Sequence, residues 1–209
     1  MTLEDLITTI EQNRPNTDLA LVRLAYEFAE RAHAGQTRLS GEPYITHPLA
    51  TALRLAEWRL DEPTIIAGLL HDVPEDTTVT ADDVRREFGD EVATLVTGVT
   101  KLSKVRYRGM ERYIENLRKM FVAMAEDVRV MLIKFADRLH NLETISSLAP
   151  EKQRRIALET LEIYAPIANR LGMGDIKGRL EDLAFAVLDP HAETATRKLM
   201  VELLSSVGR

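Results

Sequence analysis

The sequence predicts an all-α protein, and three observations support that class. Apolar residues recur every three or four positions through most of its 209 residues, which is the spacing of helices with one buried face. Prolines and glycines stand mainly where these segments would start or end. We find no pair of alternating segments typical of strands, no internal repeat and no low-complexity tract. The pattern therefore predicts one helical bundle of roughly nine to eleven helices.

The first predicted helices are delimited by residues that start or end helices. One apolar segment runs up to Gly35, a residue suited to the left-handed conformation after a helix. Pro48 stands where the first turn of the next helix tolerates proline. Asp61 and Pro63 then open a short apolar helix that runs to about His71.

The second half of the chain follows the same rules. Thr80 with Asp83 resembles a capping box, and Gly89 closes the helix that it opens. Pro166 should kink or break a helix near Ala165, because proline removes a backbone donor. The remaining helices are predicted over residues 92–99, 117–124, 128–142, 151–171, 175–187 and 190–207. The predicted linkers are short and cover residues 36–44, 73–79 and 101–109.

Composition excludes several classes of protein. The chain has no cysteine, which excludes thiol catalysis and thiolate metal sites and fits a cytoplasmic location. Its longest apolar stretch, residues 65–70, is far shorter than the ~20 residues of a membrane helix. The acidic N-terminus differs from a secretory signal. A net charge of −6 argues against general nucleic-acid binding. We therefore expect no membrane and no nucleic-acid partner.

The charge is unevenly distributed. Residues 101–119 hold seven basic and two acidic side chains, a local charge of +5, so the rest of the chain carries −11. A basic run of this kind is usually a solvated segment. It can also provide a positive field for a small polyanion, either holding a polyphosphate or closing over its site. Composition does not decide between these interpretations.

Histidine and aspartate residues mark the candidate site. His47 precedes a proline, His71-Asp72 ends an apolar helix, and Asp137 lies on a later helix. An isolated His-Asp pair is usually a surface or capping pair, but the ordered set is a stronger signal. Burying such groups is costly unless they are paired or bind a metal. Two imidazoles and two carboxylates suit Mn²⁺, Fe²⁺ or Zn²⁺.

The residues flanking this set carry a family resemblance. They read GEPYITHP at 41–48, LHDVPEDT at 70–77, NLRKM at 116–120, KFADRLHNL at 134–142, EIYAPIANRLG at 162–172 and LEDLAF at 180–185. In this order they cover roughly residues 20–188. The sequence thus resembles the HD superfamily of metal-dependent phosphohydrolases, and within it the hydrolase domain of the RelA/SpoT alarmone enzymes.

The resemblance implies hydrolysis of guanosine tetra- and pentaphosphate at the 3′-pyrophosphate, with one Mn²⁺ per site. The small-molecule nucleotide is then the expected partner. The implied metal ligands are His47, His71, Asp72 and Asp137. The implied catalytic pair for water activation and proton transfer is Glu75 and Asp76. The implied substrate contacts are Arg38, which packs on the guanine, and Asn141 and Thr144.

The resemblance also implies one HD domain over residues 1–209, with residues 189–209 as a C-terminal helix. If residues 1–209 are the whole protein, the chain resembles a stand-alone small alarmone hydrolase. If they are a fragment of a bifunctional enzyme, the final helices are the junction to its next domain. Leu39 stands where the family often has a second base, which keeps two other substrates open, an adenosine alarmone and the 2′-phosphate of NADPH. A non-catalytic nucleotide-sensing module is the alternative outside the enzymes.

Three other side chains lie close in sequence to these motifs. His33 is expected to pack or to support the site rather than to bind metal, and His140 is expected to be structural. Lys134 precedes Asp137 by three residues, so it either serves the site or is solvated.

Overall fold

The structure, a computed structural model, describes residues 1–15, 17–103 and 110–207. Residues 104–109, which hold Lys104, Arg106 and Arg108 of the basic segment, lie outside the described residues. The all-α class is confirmed, since the described residues form helices and one isolated bridge between Thr37 and Pro43.

The helices have the following bounds: α1 Leu3–Asn13, α2 Ala20–Ala32, α3 Thr46–Glu57, α4 Glu62–Leu70, α5 Val73–Asp76, α6 Ala81–Ser103, α7 Met110–Glu126, α8 Arg129–Glu143, α9 Pro150–Glu159, α10 Ala165–Arg170, α11 Gly174–Leu188 and α12 Pro190–Val207. A 3-10 turn covers Ile145–Ser147, and a π-helical turn covers Thr160–Tyr164. Within the described parts of the chain, no helix is long and apolar enough to cross a membrane.

Local sequence signals set most of these boundaries. The Asp61 side chain accepts the backbone N–H of Thr64 and starts α4. Thr80 and Asp83 form the predicted capping box at the start of α6. Gly89, with φ 85° and ψ 174°, is non-helical and divides α6 at a kink, so the predicted helix end at this residue is confirmed. The predicted interruption of a helix near Pro166 is also confirmed. The π-helical turn Thr160–Tyr164 separates α9 from α10, which begins at Ala165, directly before Pro166.

Two helices were not predicted. Helix α1 begins at a capping box between Thr2 and Asp5, a signal present in the sequence. Helix α5 lies within the segment predicted as a linker, so that prediction was wrong over Val73–Asp76. The backbone N–H groups of Glu75 and Asp76 both donate to the Asp72 carbonyl, at 3.0 and 2.9 Å. This single turn folds the acidic pair back toward the end of α4.

The chain divides into two compact units, Met1–His140 and Asn141–Arg209. In the first unit α4 is the central helix and packs against α2, α3 and α6. Gly68 permits close contact with α3, because a Cβ there would lie 2.5 Å from Leu55 Cδ1. In the second unit α11 packs against α9 and α10. A single domain over residues 1–209 stays a prediction.

Candidate metal centre and catalytic site

Three helices of the first unit bring the predicted metal ligands together. His47 lies in the first turn of α3, His71 directly follows α4, and Asp137 lies on α8. All three side chains are buried, and their candidate ligand atoms lie within 4.8 Å of one another. The close packing of α3 on α4 at Gly68 therefore serves to bring His47 near His71.

Asp72 completes the set. Its Oδ2 lies 3.4 Å from Nε2 of His47, and its Oδ1 lies 3.2 Å from Nε2 of His71. Asp137 Oδ1 is 3.2 Å from the same His47 nitrogen. The four side chains predicted as ligands thus direct two imidazole nitrogens and two carboxylates toward one small volume.

The hydrogen bonds of His71 show that this donor set fits a metal ion. Nδ1 of His71 lies 2.8 Å from the carbonyl oxygen of Gly68, which can only accept, so Nδ1 carries the hydrogen. In the neutral ring Nε2 then has a lone pair. That nitrogen is buried and has no hydrogen-bond partner among the residues that the structure describes. A buried lone pair beside two carboxylates is the arrangement of a metal-binding histidine.

His47 is oriented from its other side by His140. Their Nδ1 atoms are 2.8 Å apart, and the same His140 nitrogen lies 3.2 Å from NH1 of Arg38. Arginine only donates, so His140 Nδ1 is the acceptor and His47 Nδ1 carries a hydrogen. Burial and the positive charges of His47, Arg38 and Arg54 lower the pKa of His140 to about 3. His140 therefore acts as a neutral acceptor for a candidate ligand and a candidate substrate contact.

The carboxylates and His47 depend on each other electrostatically. Burial alone would lower the pKa of His47, but hydrogen bonds with Asp137 and Asp72 raise it above its ordinary value. Burial alone would raise the pKa of Asp72, but His71 and His47 lower it. The pKa of each of these groups therefore depends on the charges of the others.

Lys134 gives Asp137 a permanent partner. Its Nζ lies 2.7 Å from Asp137 Oδ2, and both side chains are buried. Burial would raise the pKa of Asp137, but Lys134 and His47 hold it well below its ordinary value. Of the two expectations for Lys134, solvation was wrong, because the residue lies on the buried face of α8 one turn before Asp137.

The acidic pair lies beside this centre, on α5. Asp76 is exposed, whereas Glu75 is half-buried. The Tyr44 hydroxyl lies 2.5 Å from Asp76 Oδ2 and 3.0 Å from Asp72 Oδ2. Burial and the two carboxylates raise the pKa of Tyr44, which keeps its hydroxyl a donor.

Arg38 is presented by an ordered turn rather than a loose linker. The Arg38 N–H donates to the carbonyl of Glu42 at 2.9 Å, and Gly41, with φ 89°, reverses the chain. Arg38, a predicted substrate contact, therefore extends toward His140 from a short hairpin-like turn over residues 36–44.

The structure places seven of the nine predicted site residues in the first unit. Asn141 and Thr144 fall in the second unit, Asn141 in the last turn of α8 and Thr144 just before the 3-10 turn. Their role as substrate contacts stays a prediction.

Tyr44, His140 and Lys134 were not assigned to the site from the sequence. Lys134 shares a helix face with Asp137, which was the available signal. Tyr44 lies three residues before His47 in the quoted motif, so proximity along the chain pointed to it. His140 had no comparable signal, because its contacts join residues 93 and 102 positions apart.

Comparison with known proteins identifies the family of this chain. Residues 25–174 match the HD domain, so the chain belongs to the HD domain family. A solved structure of a metazoan ortholog of SpoT that hydrolyzes ppGpp is similar with a TM-score of 0.57. It is 25% identical and covers 84% of this chain and 97% of that one.

Two curated relatives are closer in sequence. The bifunctional (p)ppGpp synthase/hydrolase SpoT of Escherichia coli K12 is 53% identical over 189 residues, which is 90% of this chain and 27% of the relative. A GTP pyrophosphokinase of Streptomyces antibioticus is 53% identical over 203 residues, 96% of this chain and 24% of the relative. The chain spans about a quarter of the length of these relatives.

Proposed function

We propose that this chain is a metal-dependent hydrolase that converts guanosine tetra- and pentaphosphate to GDP or GTP and pyrophosphate. The main supporting observation is the convergence of two buried histidines and a buried aspartate within 4.8 Å, with Asp72 beside them. The relative named a (p)ppGpp synthase/hydrolase, 53% identical over 189 residues, supports the substrate class. A cytoplasmic location stays a prediction from composition.

The proposed metal ligands are His47, His71, Asp72 and Asp137, and the proposed ion is one Mn²⁺. Mixed imidazole and carboxylate ligands suit Mn²⁺, and the resemblance of the sequence favours it over Fe²⁺ or Zn²⁺. When bound, the ion would neutralise charge on a phosphoryl oxygen and lower the pKa of water. Lys134 and His140 keep two of these ligands in the required orientation.

Glu75 and Asp76 are proposed to orient the attacking water and accept its proton. Water attacks the phosphorus atom that is bonded to the 3′ oxygen. The bond between this phosphorus and the 3′ oxygen then breaks. The 3′ oxygen leaves with a proton, and pyrophosphate is released. The pair lies three and four residues after Asp72, and the Asp76 N–H donates to the Asp72 carbonyl at 2.9 Å. This turn supports a position near the proposed metal, within reach of a water molecule.

Arg38, Asn141 and Thr144 are proposed to bind the nucleotide. The flat Arg38 guanidinium suits stacking on guanine, and its hydrogen bond to His140 restricts where it extends. Leu39 is 75% exposed and offers no charge to the 5′ phosphates. We therefore expect weak discrimination between the tetra- and pentaphosphate.

The test is incubation of the chelator-treated protein with guanosine tetraphosphate, with and without added MnCl₂. Chromatography should detect GDP and pyrophosphate in equal amounts, in the Mn²⁺ sample alone. Parallel samples contain guanosine pentaphosphate, an adenosine alarmone, NADPH, or ATP with GTP. Turnover confined to the adenosine alarmone or NADPH would replace the proposed substrate. The absence of turnover with any substrate and divalent ion would contradict the proposed activity.

A further inference from the structure

Tyr44 joins two acids that have different proposed roles. Its hydroxyl lies 3.0 Å from Oδ2 of Asp72, a proposed metal ligand, and 2.5 Å from Oδ2 of Asp76, a proposed catalytic acid. One hydroxyl hydrogen placed between two carboxylates offsets their mutual repulsion and fixes both oxygens. The distance between the metal centre and Asp76 is therefore set in part by this side chain.

The Tyr44 ring is itself held in place. It stacks on the His33 ring, with the centroids 4.4 Å apart and the planes 17° from parallel. His33 is 3% exposed, and its Nδ1 lies 2.9 Å from Oε1 of Gln36. The stacked pair gives the hydroxyl a defined position between the two acids.

Gln36 closes this arrangement into a ring of contacts. Its side-chain Nε2 donates to the backbone carbonyl of Asp76 at 2.9 Å. Its backbone carbonyl accepts the backbone N–H of Tyr44 at 3.1 Å. The hairpin-like turn thus contacts Asp76 twice, through Gln36 at the backbone and through Tyr44 at the carboxylate. His33 links the two contacts.

Tyr26 provides an internal comparison. Its hydroxyl donates to Glu30 at 3.2 Å on the surface of α2, one helical turn away. The contact is local and involves none of the proposed site residues. Both tyrosine hydroxyls donate to carboxylates. The carboxylates that face Tyr44 belong to the proposed site, whereas the carboxylate that faces Tyr26 does not.

We propose that Tyr44 is a positioning residue that sets the geometry between Asp72 and Asp76. The inference rests on the proposed function for the role of Asp76. Loss of the hydroxyl removes one contact of the Asp72 carboxylate, which weakens Mn²⁺ binding, and one contact of the Asp76 carboxylate, which slows the chemical step. The KM stays near the wild-type value, because Tyr44 is not among the proposed substrate contacts. Supporting residues of this kind affect metal affinity or activity about 10- to 100-fold.

The experiment compares Tyr44→Phe with Tyr26→Phe. Phenylalanine keeps a ring to stack on His33, so the change removes the hydroxyl alone. With saturating Mn²⁺ and guanosine tetraphosphate we expect kcat of Tyr44→Phe to fall about 10- to 100-fold, with KM within about twofold. Calorimetric titration with MnCl₂ alone should show about tenfold weaker binding. Tyr26→Phe should match the wild type in both measurements.

The two measurements separate the possible failures. Wild-type kcat and Mn²⁺ affinity in Tyr44→Phe would overturn the inference, as would an equal loss in Tyr26→Phe. If the wild-type protein has no turnover, the proposed function fails, and the Mn²⁺ titration alone decides the inference. If Tyr44→Phe does not fold, Gln36→Met replaces it, since it breaks the contact with Asp76 from the other side. For Gln36→Met, a loss of kcat smaller than the one expected for Tyr44→Phe supports the inference. An unchanged kcat in Gln36→Met rejects it.

Discussion

Two clusters of acids in the first unit differ in what faces each carboxylate. Around Arg129, the guanidinium lies 2.8 Å from Asp61, 2.7 Å from Glu91 and 2.7 Å from Asp127. The Arg129 side chain is 24% exposed. Each of these acids faces a permanent positive charge, so the cluster joins the start of α4, α6 and the start of α8 without needing a ligand.

At the candidate metal centre, the carboxylates face histidines. Asp72 lies within 3.4 Å of His47 and His71, and Asp137 shares its charge between His47 and Lys134. A contact between imidazole and carboxylate is attractive only when a proton or a cation lies between them. The pKa values of Asp61 and Asp72 are both lowered, so the direction of the shift does not distinguish the two clusters. The facing groups do distinguish Asp61, which faces the guanidinium of Arg129, from Asp72, which faces the imidazoles of His47 and His71.

The largest expected effect is that of Asp72→Asn. The substitution removes a negative charge from the proposed ligand set and keeps the size of the side chain. We expect hydrolysis to fall more than about 100-fold, since ligands contribute more than the supporting residues around them. Mn²⁺ binding by calorimetry should be lost at concentrations that saturate the wild type.

Asp90→Asn is the matched control. Asp90 is 89% exposed and contacts Arg85 on the surface, where ion pairs contribute little. Its hydrolysis and Mn²⁺ binding should equal those of the wild type. Full turnover in Asp72→Asn would contradict the proposed metal mechanism.

The all-α class was predicted from the sequence and is confirmed, whereas the surroundings of the proposed acids and histidines were not predicted. Caps and helix breakers act over three or four residues, so Asp61 and Thr80 could be interpreted directly from the sequence. The proposed ligand set came from the family resemblance of the motifs rather than from any distance, and it stays a prediction.

The rest depends on contacts between distant parts of the chain. His140 was expected to be structural, yet it contacts His47 and Arg38, because contacts between residues 93 and 102 positions apart are not encoded by local spacing. Lys134 could be assigned to the site only once α8 was seen to be buried. Helix α5 has a single turn, which is too short for a periodic pattern to show.

The second prediction concerns the stability that the buried ion pair between Lys134 and Asp137 contributes. Lys134→Met leaves the buried Asp137 without its permanent positive partner, which typically costs about 3–5 kcal/mol. Urea unfolding without metal should show this loss. Added MnCl₂ should restore part of it, since a bound cation would neutralise Asp137 and stabilise the folded state.

Lys177→Met is the control for this pair. Lys177 contacts Glu181 at 3.2 Å on an exposed face of α11, so its loss should change the free energy of unfolding by only about 0.3–0.5 kcal/mol. If Lys134→Met were no more destabilising than Lys177→Met, the charge on Asp137 would not depend on Lys134.

The smallest effect on function is expected at Arg129. Arg129→Gln removes the common partner of three acids, and we expect a loss of about 1–2 kcal/mol in the free energy of unfolding. Turnover per folded molecule should not change, because this cluster contains none of the proposed site residues. A fall in kcat would show that the two clusters are coupled and would remove the distinction between them.

Acid unfolding gives a second measure of the same substitution. Arg129 lowers the pKa of Asp127, and at Asp61, where burial alone would raise the pKa, Thr64 and Arg129 together lower it below 3.8. The stability from these acids is therefore fully present above about pH 4 and is lost as the pH falls through their lowered pKa values. In Arg129→Gln those pKa values move back toward the unfolded ones, so the free energy of unfolding should fall less steeply below pH 4 than in the wild type. If the free energy of unfolding fell equally steeply with pH in Arg129→Gln and in the wild type, Arg129 would not be the charge that holds these acids ionised.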